Sequence, residues 1–330
     1  MLRQVSSQVV RTITYTGQGQ DTINLPAGRF INELRFQLDC QYDVTTSTAN
    51  AHPAGLANLI DRLEVVTANG KTITDLSGQD ISDLFRFINA VPGDNTALHA
   101  GGANANDNTA RVTLRLPFYL NDGQREDDGI LQTNTQDVIV RITWKTPTST
   151  GSLYGTATGL VIDSLTCKVS FKEYRVDAEM AAKLMKGVER SLRKADYAVT
   201  QTNDAFQLDN LPKNERYRGL TLISRSTTNN MTPGNSAGID HTKEMAVRST
   251  LDNNIWQRDT VRVFRSETIQ RRGHTDVTAG VVDVPTSMFG SMVETIVSTN
   301  NDELFLEVPA VNTGTAPFIR VITDTIRPVA

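Results

Sequence analysis

Hydrophobic positions in this chain alternate far more often than they form helical stripes. The segment DTINLPAGRFINELRFQLDCQYDV is typical. A Leu25–Pro26–Ala27–Gly28 corner separates a short strand from a long one. In the long one Ile31, Leu34, Phe36, Leu38 and Cys40 are mostly alternate, which predicts one buried face. Upstream, residues 1–20 are polar, with a strand signal only at Thr12–Tyr15. They are expected to form an arm that orders against a neighbour. Thr45–Pro53 reads as a polar loop. In LIDRLEVVTANGKTITDLSG, Leu63, Val65 and Val66 predict a strand, Asn69–Gly70 a type I′ turn, and Thr72–Ile73–Thr74 the return. Ser77 then predicts a helix N-cap, partnered by Asp80. Ile81, Leu84, Phe85 and Ile88 line one face of that short helix, which ends near Val91–Pro92–Gly93. Further strands are predicted at ARVTLRLPFYL, where Pro117 stops the pairing, at DVIVRITWK and at LVIDSLTCKVSFKEYRV.

One stretch breaks the alternation. In Val176–Lys194, Ala181, Leu184, Met185, Val188 and Leu192 recur at spacings of three and four and predict a helix. Asp177 is its N-cap, and Arg190, Arg193 and Lys194 complement the carbonyl end. This helix is expected to join two β-rich halves. The predicted organisation is an arm at 1–20, a first sandwich at 21–176, a connecting helix at 177–195 and a second sandwich at 196–330.

The second half repeats the order of the first. Leu211–Pro212 precedes Leu220 at the separation at which Leu25–Pro26 precedes Leu34. Val281–Pro285 can be set beside Val112–Pro117, ELFLEVPA beside DVIVRITWK, and FIRVITDTIRPV beside the strand after Gly159. Between these landmarks a strand is predicted at Val261–Phe264, and Leu251–Trp256 fits either a helix or a strand. This is a weak internal repeat. Turns about every ten residues indicate β-sandwiches. Long polar crossings and an inserted helix suit a jelly roll better than an immunoglobulin type.

Composition narrows the function. A length of 330 residues suggests two domains at ~100–200 residues each. The net charge of −4 offers no general attraction for nucleic acid. No apolar run approaches the ~18–20 residues that cross a bilayer. The N-terminus MLRQVSSQVVRT lacks the apolar core of a signal peptide, so the chain is expected to stay in the cytosol of its producing cell. The two cysteines, Cys40 and Cys167, lie in strand-like alternation outside any CxxC pair and read as small buried hydrophobes.

Candidate chemistry is sparse. His52, His99, His241 and His274 lie in polar, loop-like contexts without ligand spacing, and read as surface or loop histidines. There is no GxSxG or P-loop, and GQG at Gly17–Gly19 lacks a strand–helix context. The acidic run Glu126–Asp128 has the chemistry to bind a hard cation but reads as a solvated hairpin tip. Arg262, Arg265, Arg271 and Arg272 form the most basic stretch, suited to phosphate or, more simply, to ion pairs between subunits. Trp144 and Trp256 stand singly, unlike a carbohydrate-stacking platform. No catalytic, cofactor or metal residue is assigned, and no enzymatic activity is expected.

The stretches LPAGRFINELRFQLD and LIDRLEVVTANGKTITDLSGQDISDL, a strand running into LPFYL, and the second Leu-Pro corner carry a resemblance. The chain resembles the double jelly-roll major capsid proteins of tailless icosahedral bacteriophages with an internal membrane, of tectivirus, corticovirus and finnlakevirus type. The resemblance implies an all-β chain of two consecutive eight-stranded jelly-roll sandwiches joined by a helix-containing linker. It implies homotrimers of pseudo-hexagonal outline that tile an icosahedral shell around a lipid vesicle. Penton and minor capsid proteins would be partners, and sequence-specific nucleic acid would not. Ala97–Asn108, Glu126–Asp128 and Ser226–Gly238 are then expected to be tower or interface loops.

Two other function classes fit these patterns less well. A tandem carbohydrate-binding or surface-attachment sandwich is disfavoured by the missing leader and the sparse aromatics. A cupin-type enzyme needs clustered metal ligands, which the scattered histidines do not supply.

Overall fold

The computed structural model describes residues 3–44, 50–52, 54–89, 98, 105–118, 130–134, 136–147, 153–156, 159–184, 188–225, 238–250, 255–272, 280–285, 296–297, 303–312 and 316–328. The chain divides into two compact units, Met1–Arg190 with Pro328–Ala330, and Ser191–Arg327.

The first unit runs β1 (Arg3–Thr14), β2 (Gly19–Asn24), β3 (Phe30–Val44), β4 (Asn50–Ala51), a 3-10 turn (Gly55–Leu59), β5 (Ile60–Thr67), β6 (Thr72–Leu76) and α1 (Gly78–Asn89). It continues through β7 (Ala105–Pro117), β8 (Leu131–Gln132), β9 (Val138–Trp144), β10 (Tyr154–Thr156), β11 (Val161–Val176) and α2 (Ala178–Leu184). One sheet has the order β1-β11-β3-β7, with β8 also on β3. The other runs β6-β5-β9-β2, and β4 pairs with β10.

β12 (Val188–Ala198) leads into the second unit. There follow β13 (Asn203–Leu208), β14 (Arg216–Arg225), β15 (Gly238–Ile239), β16 (Glu244–Ser249), β17 (Ile255–Thr260), α3 (Val261–Arg272), β18 (Val281–Pro285), β19 (Ile296–Val297), β20 (Leu304–Val311) and β21 (Phe318–Pro328). One sheet has the order β12-β21-β14-β18, with β19 also on β14. The other runs β13-β20-β16-β17, with β15 on β20.

The two units share one topology. β1, β11, β3, β7 and β8 correspond to β12, β21, β14, β18 and β19, while β2, β9, β5 and β6 correspond to β13, β20, β16 and β17. α1 and α3 fill the same place in the chain order, before β7 and β18. Every pairing of landmarks proposed from the sequence falls on topologically equivalent strands. Leu25 and Leu211 are both buried at their corners, and Leu34 and Leu220 are both fully buried. The fold is therefore all-β, two jelly-roll sandwiches in succession, each with eight principal strands and short additional ones.

The cores follow from alternation. Val138, Val140, Ile142 and Trp144 of β9 point inward and the residues between them are half-buried. In the second unit Leu208, Leu222, Val247, Val284, Leu306 and Val321 come from both sheets into one cluster. Each such side chain contributes roughly 1.5–3 kcal/mol on burial. The break in alternation between Ile31 and Leu34 has a cause. Glu33 pairs with Lys172 but Ile31 with Glu173, so Asn32 is an extra residue, a bulge. Its side-chain amide donates to Tyr174 Oη at 2.6 Å.

Four expectations are corrected. First, the helix after Val176 ends at Leu184, and Val188–Ala198 is a strand. Asp177 does cap it, accepting the Met180 amide at 2.9 Å. Ala181 and Leu184 pack with Phe30, Ile130 and Tyr174. Arg190 and Arg193 are not at a helix end. Arg190 donates to the Pro117 carbonyl at 3.2 Å, and Arg193 pairs with Glu215. Second, residues 3–14 are a full strand of the first sheet, because their backbone pairs along β11 from Arg3 to Thr14. Third, Val261–Phe264 opens a helix. Thr260 Oγ accepts the Val263 amide at 3.4 Å as an N-cap, and Val261 and Phe264 are buried one turn apart. Fourth, the hairpin at Asn69–Gly70 forms with a different turn. Only Gly70 has positive φ (85°), and Thr67 N–H donates to Lys71 O at 2.9 Å, giving a three-residue loop with a bulge rather than type I′.

Candidate assembly surface

The first sheet turns one face to its core and presents charge on the other. On β3, Leu34, Phe36, Leu38 and Cys40 are buried inward, so Glu33, Arg35, Gln37 and Asp39 share the outer face. Register places Arg115, Thr113 and Arg111 of β7 beside the last three. Lys172, Ser170, Lys168 and Thr166 of β11 lie on the other side. Opposite charges in adjacent strands support such a face.

Glu33 is the centre of this ladder. It is 1% exposed, because Arg35 and Arg115 close over it. Arg35 Nε donates to its Oε1 at 2.5 Å and Arg115 Nε to the same oxygen at 2.9 Å. Burial pushes the Glu33 carboxyl up, but the two guanidinium groups outweigh it and leave the carboxyl below its ordinary range. Lys172 is pushed down by burial and by Arg35 beside it. At the end of the sheet Glu173 collects Ser6 Oγ at 2.8 Å, Gln8 Nε2 at 3.1 Å and Arg29 Nη1 at 3.3 Å. These bonds fasten β1 and the β2–β3 corner to β11.

The candidate chemical residues are dispersed. His52 is buried rather than on the surface, and its Nδ1 accepts the Ala54 amide at 3.1 Å. His241 is half-buried, with Arg265 Nη1 at 3.1 Å from its Nδ1. His99 and His274 lie outside the described residues. Trp144 is buried. It donates to Asp21 at 2.8 Å and meets Tyr15 edge-on, so it is a core residue and not a stacking platform. Cys40 and Cys167 are free, buried thiols. Burial first, then nearby aspartates, pushes each up to about 12. Among the described residues no group of three or more His, Cys, Asp or Glu could hold a metal ion. No helix among them is long and apolar enough to cross a membrane.

Of the expected interface loops, Glu126–Asp128 and most of Ala97–Asn108 and Ser226–Gly238 lie outside the described residues. Ala105–Asn108 already belongs to β7 and Gly238 to β15. The side chains of Arg271, Arg272 and Trp256 are also outside them. Sequence reading did not single out the open edge of β1. Among the described residues β1 pairs with β11 alone.

No protein-family model matches this chain, and no curated protein matches it by sequence. Solved structures match over nearly its whole length. The major capsid protein of Sulfolobus Turreted Icosahedral Virus superposes with a TM-score of 0.75 at 11% identity, over 98% of this chain and 96% of that one. Major capsid protein P2 of bacteriophage PM2 gives a TM-score of 0.63 at 11% identity, over 99% and 98%. The PBCV-1 virus capsid gives 0.64 at 11% identity, over 98% and 94%. These neighbours are double jelly-roll major capsid proteins, and the fold of this chain is theirs.

Proposed function

We propose that this chain is a major capsid protein that builds an icosahedral virion shell by self-association. In this reading three copies form a homotrimer whose six sandwiches give a pseudo-hexagonal tile. Tiles meet one another, penton proteins fill the five-fold vertices, minor proteins brace the seams, and an internal membrane lies beneath. Assembly takes place in the host cytoplasm and the product is the virion capsid.

The observation that carries this is the duplicated topology. Two sandwiches with the same strand order in both sheets make up the described residues, and capsid-protein structures superpose on 98–99% of the chain. A tile needs such closed, rigid units. The Glu33 ladder spends its charged groups on holding strands together, a structural use rather than a catalytic one.

Light scattering on the purified protein tests the reading. A trimer has a mass of about 109 kDa, three times the 36.3 kDa chain. Negative-stain images are expected to show three-lobed or hexagonal particles. A monodisperse monomer at high concentration would overturn it.

A further inference from the structure

From Arg3 to Val9 the pairing of β1 with β11 is unbroken, and the first irregularity falls between Val9 and Arg11. Among the described residues no strand pairs with the other side of this stretch, which is about 24 Å long at ~3.4 Å per residue. Natural edges are blunted by lysine, proline or inward charge. The segment Val5–Ser6–Ser7–Gln8–Val9 has none of these. Val5 and Val9 are 56% and 53% exposed, and each stands among the large hydrophobic side chains that the described surface leaves bare. Register puts Val5, Ser7 and Val9 on one face, opposite Tyr174, Lys172 and Ser170.

An unguarded edge of this kind, in a chain with the fold of icosahedral-virus capsid proteins, suits pairing with another copy. We propose that the Val5–Val9 edge of β1 is where a second copy of this chain docks, adding a strand of its own to the sheet. The contact is heterologous, the β1 edge of one copy against a different surface of the next, and such contacts form a ring where the rotation between copies closes. The size of that ring, three, rests on the capsid reading above.

The test is a Val5→Asp/Val9→Asp double variant measured by light scattering beside the unaltered protein. Both side chains are exposed in the single chain, so its unfolding temperature is expected to hold. The trimer is expected to weaken at least tenfold and run as single chains. Val161→Asp, at a residue 54% exposed on β11 beyond the end of β1, is expected to leave the trimer intact. Hydrogen exchange on the unaltered protein gives a readout independent of any variant. The Val5–Val9 amides on the open side are expected to slow on assembly. A double variant that stays trimeric, or β1 amides that exchange equally fast in both states, would overturn the docking edge and leave the capsid reading standing. An unaltered protein that never associates would overturn both.

Discussion

Ser77 and Asp80 cap α1 by answering each other. The Ser77 amide donates to Asp80 Oδ2 at 2.8 Å, and the Asp80 amide donates to Ser77 Oγ at 3.1 Å. Both residues are buried, so neither amide has water as a substitute. Ser77→Ala is expected to cost about 1 kcal/mol, and Ser77→Gly only a few tenths. Denaturant unfolding followed by circular dichroism checks this. Equal stability of all three proteins would show that the cap contributes nothing.

Glu33 sets an acid limit on the first roll. Arg115 and Arg35 hold its carboxyl low against the opposing pull of burial. A depressed carboxylate adds stability above its unfolded value, about 4.3, and that stability is lost as pH falls through the folded value. Glu33→Gln is expected to lower stability by about 1–3 kcal/mol at neutral pH and to flatten the acid limb. Thermal melts across a buffer series measure both. Parallel acid limbs would contradict the assignment.

His241 acts in the second roll and in a higher window. Burial, then Arg265, and less strongly Arg262, hold its pKa below the ordinary value, against a smaller upward pull from Asp240. Its Nδ1 accepts from Arg265, which a protonated ring cannot do. The unfolded chain therefore takes up a proton first. Stability is full above about pH 6.5 and declines as pH falls from there to the folded pKa. His241→Gln is expected to remove that slope while leaving the Glu33 limb in place.

Gly78, the first residue of α1, has no room for a side chain. A Cβ there would drive into the Ala57 carbonyl oxygen and lie 2.9 Å from Ile60 Cβ. Replacing glycine by alanine inside a helix normally gains about 1 kcal/mol. Here overpacking against backbone, about 1–3 kcal/mol, outweighs it. Gly78→Ala is expected to lower the unfolding midpoint, and a raised midpoint would mean that the 3-10 turn at Gly55–Leu59 yields.

What the sequence disclosed was what is decided locally or by simple period. The alternation of Val138, Val140, Ile142 and Trp144 needs only one buried face. The Ser77–Asp80 cap spans a single turn. The Leu-Pro corners survive duplication because each ends one strand and starts another. Most of the failures are places where a distant strand or the core decides. Leu184 and Leu192 fit one helical stripe, but from Val188 onward the backbone joins a sheet with β21, and Thr323 Oγ donates to the Arg193 carbonyl at 3.2 Å. Gly187, of a type that favours helix ends, is the local sign of a stop. Val261–Arg262–Val263–Phe264 has the composition of a strand, and only the core that takes Val261 and Phe264 makes it a helix. The charge ladder around Glu33 is invisible in sequence because its members come from β3, β7 and β11.

The two sulfurs bear on how the molecule can be handled. Cys40 and Cys167 sit inside the first roll with their thiols held protonated, and only the thiolate is nucleophilic. Maleimides and gold clusters are therefore expected to leave the native fold untouched. A single cysteine introduced at an exposed position would be a unique handle, free of background, for dyes, spin labels or cargo.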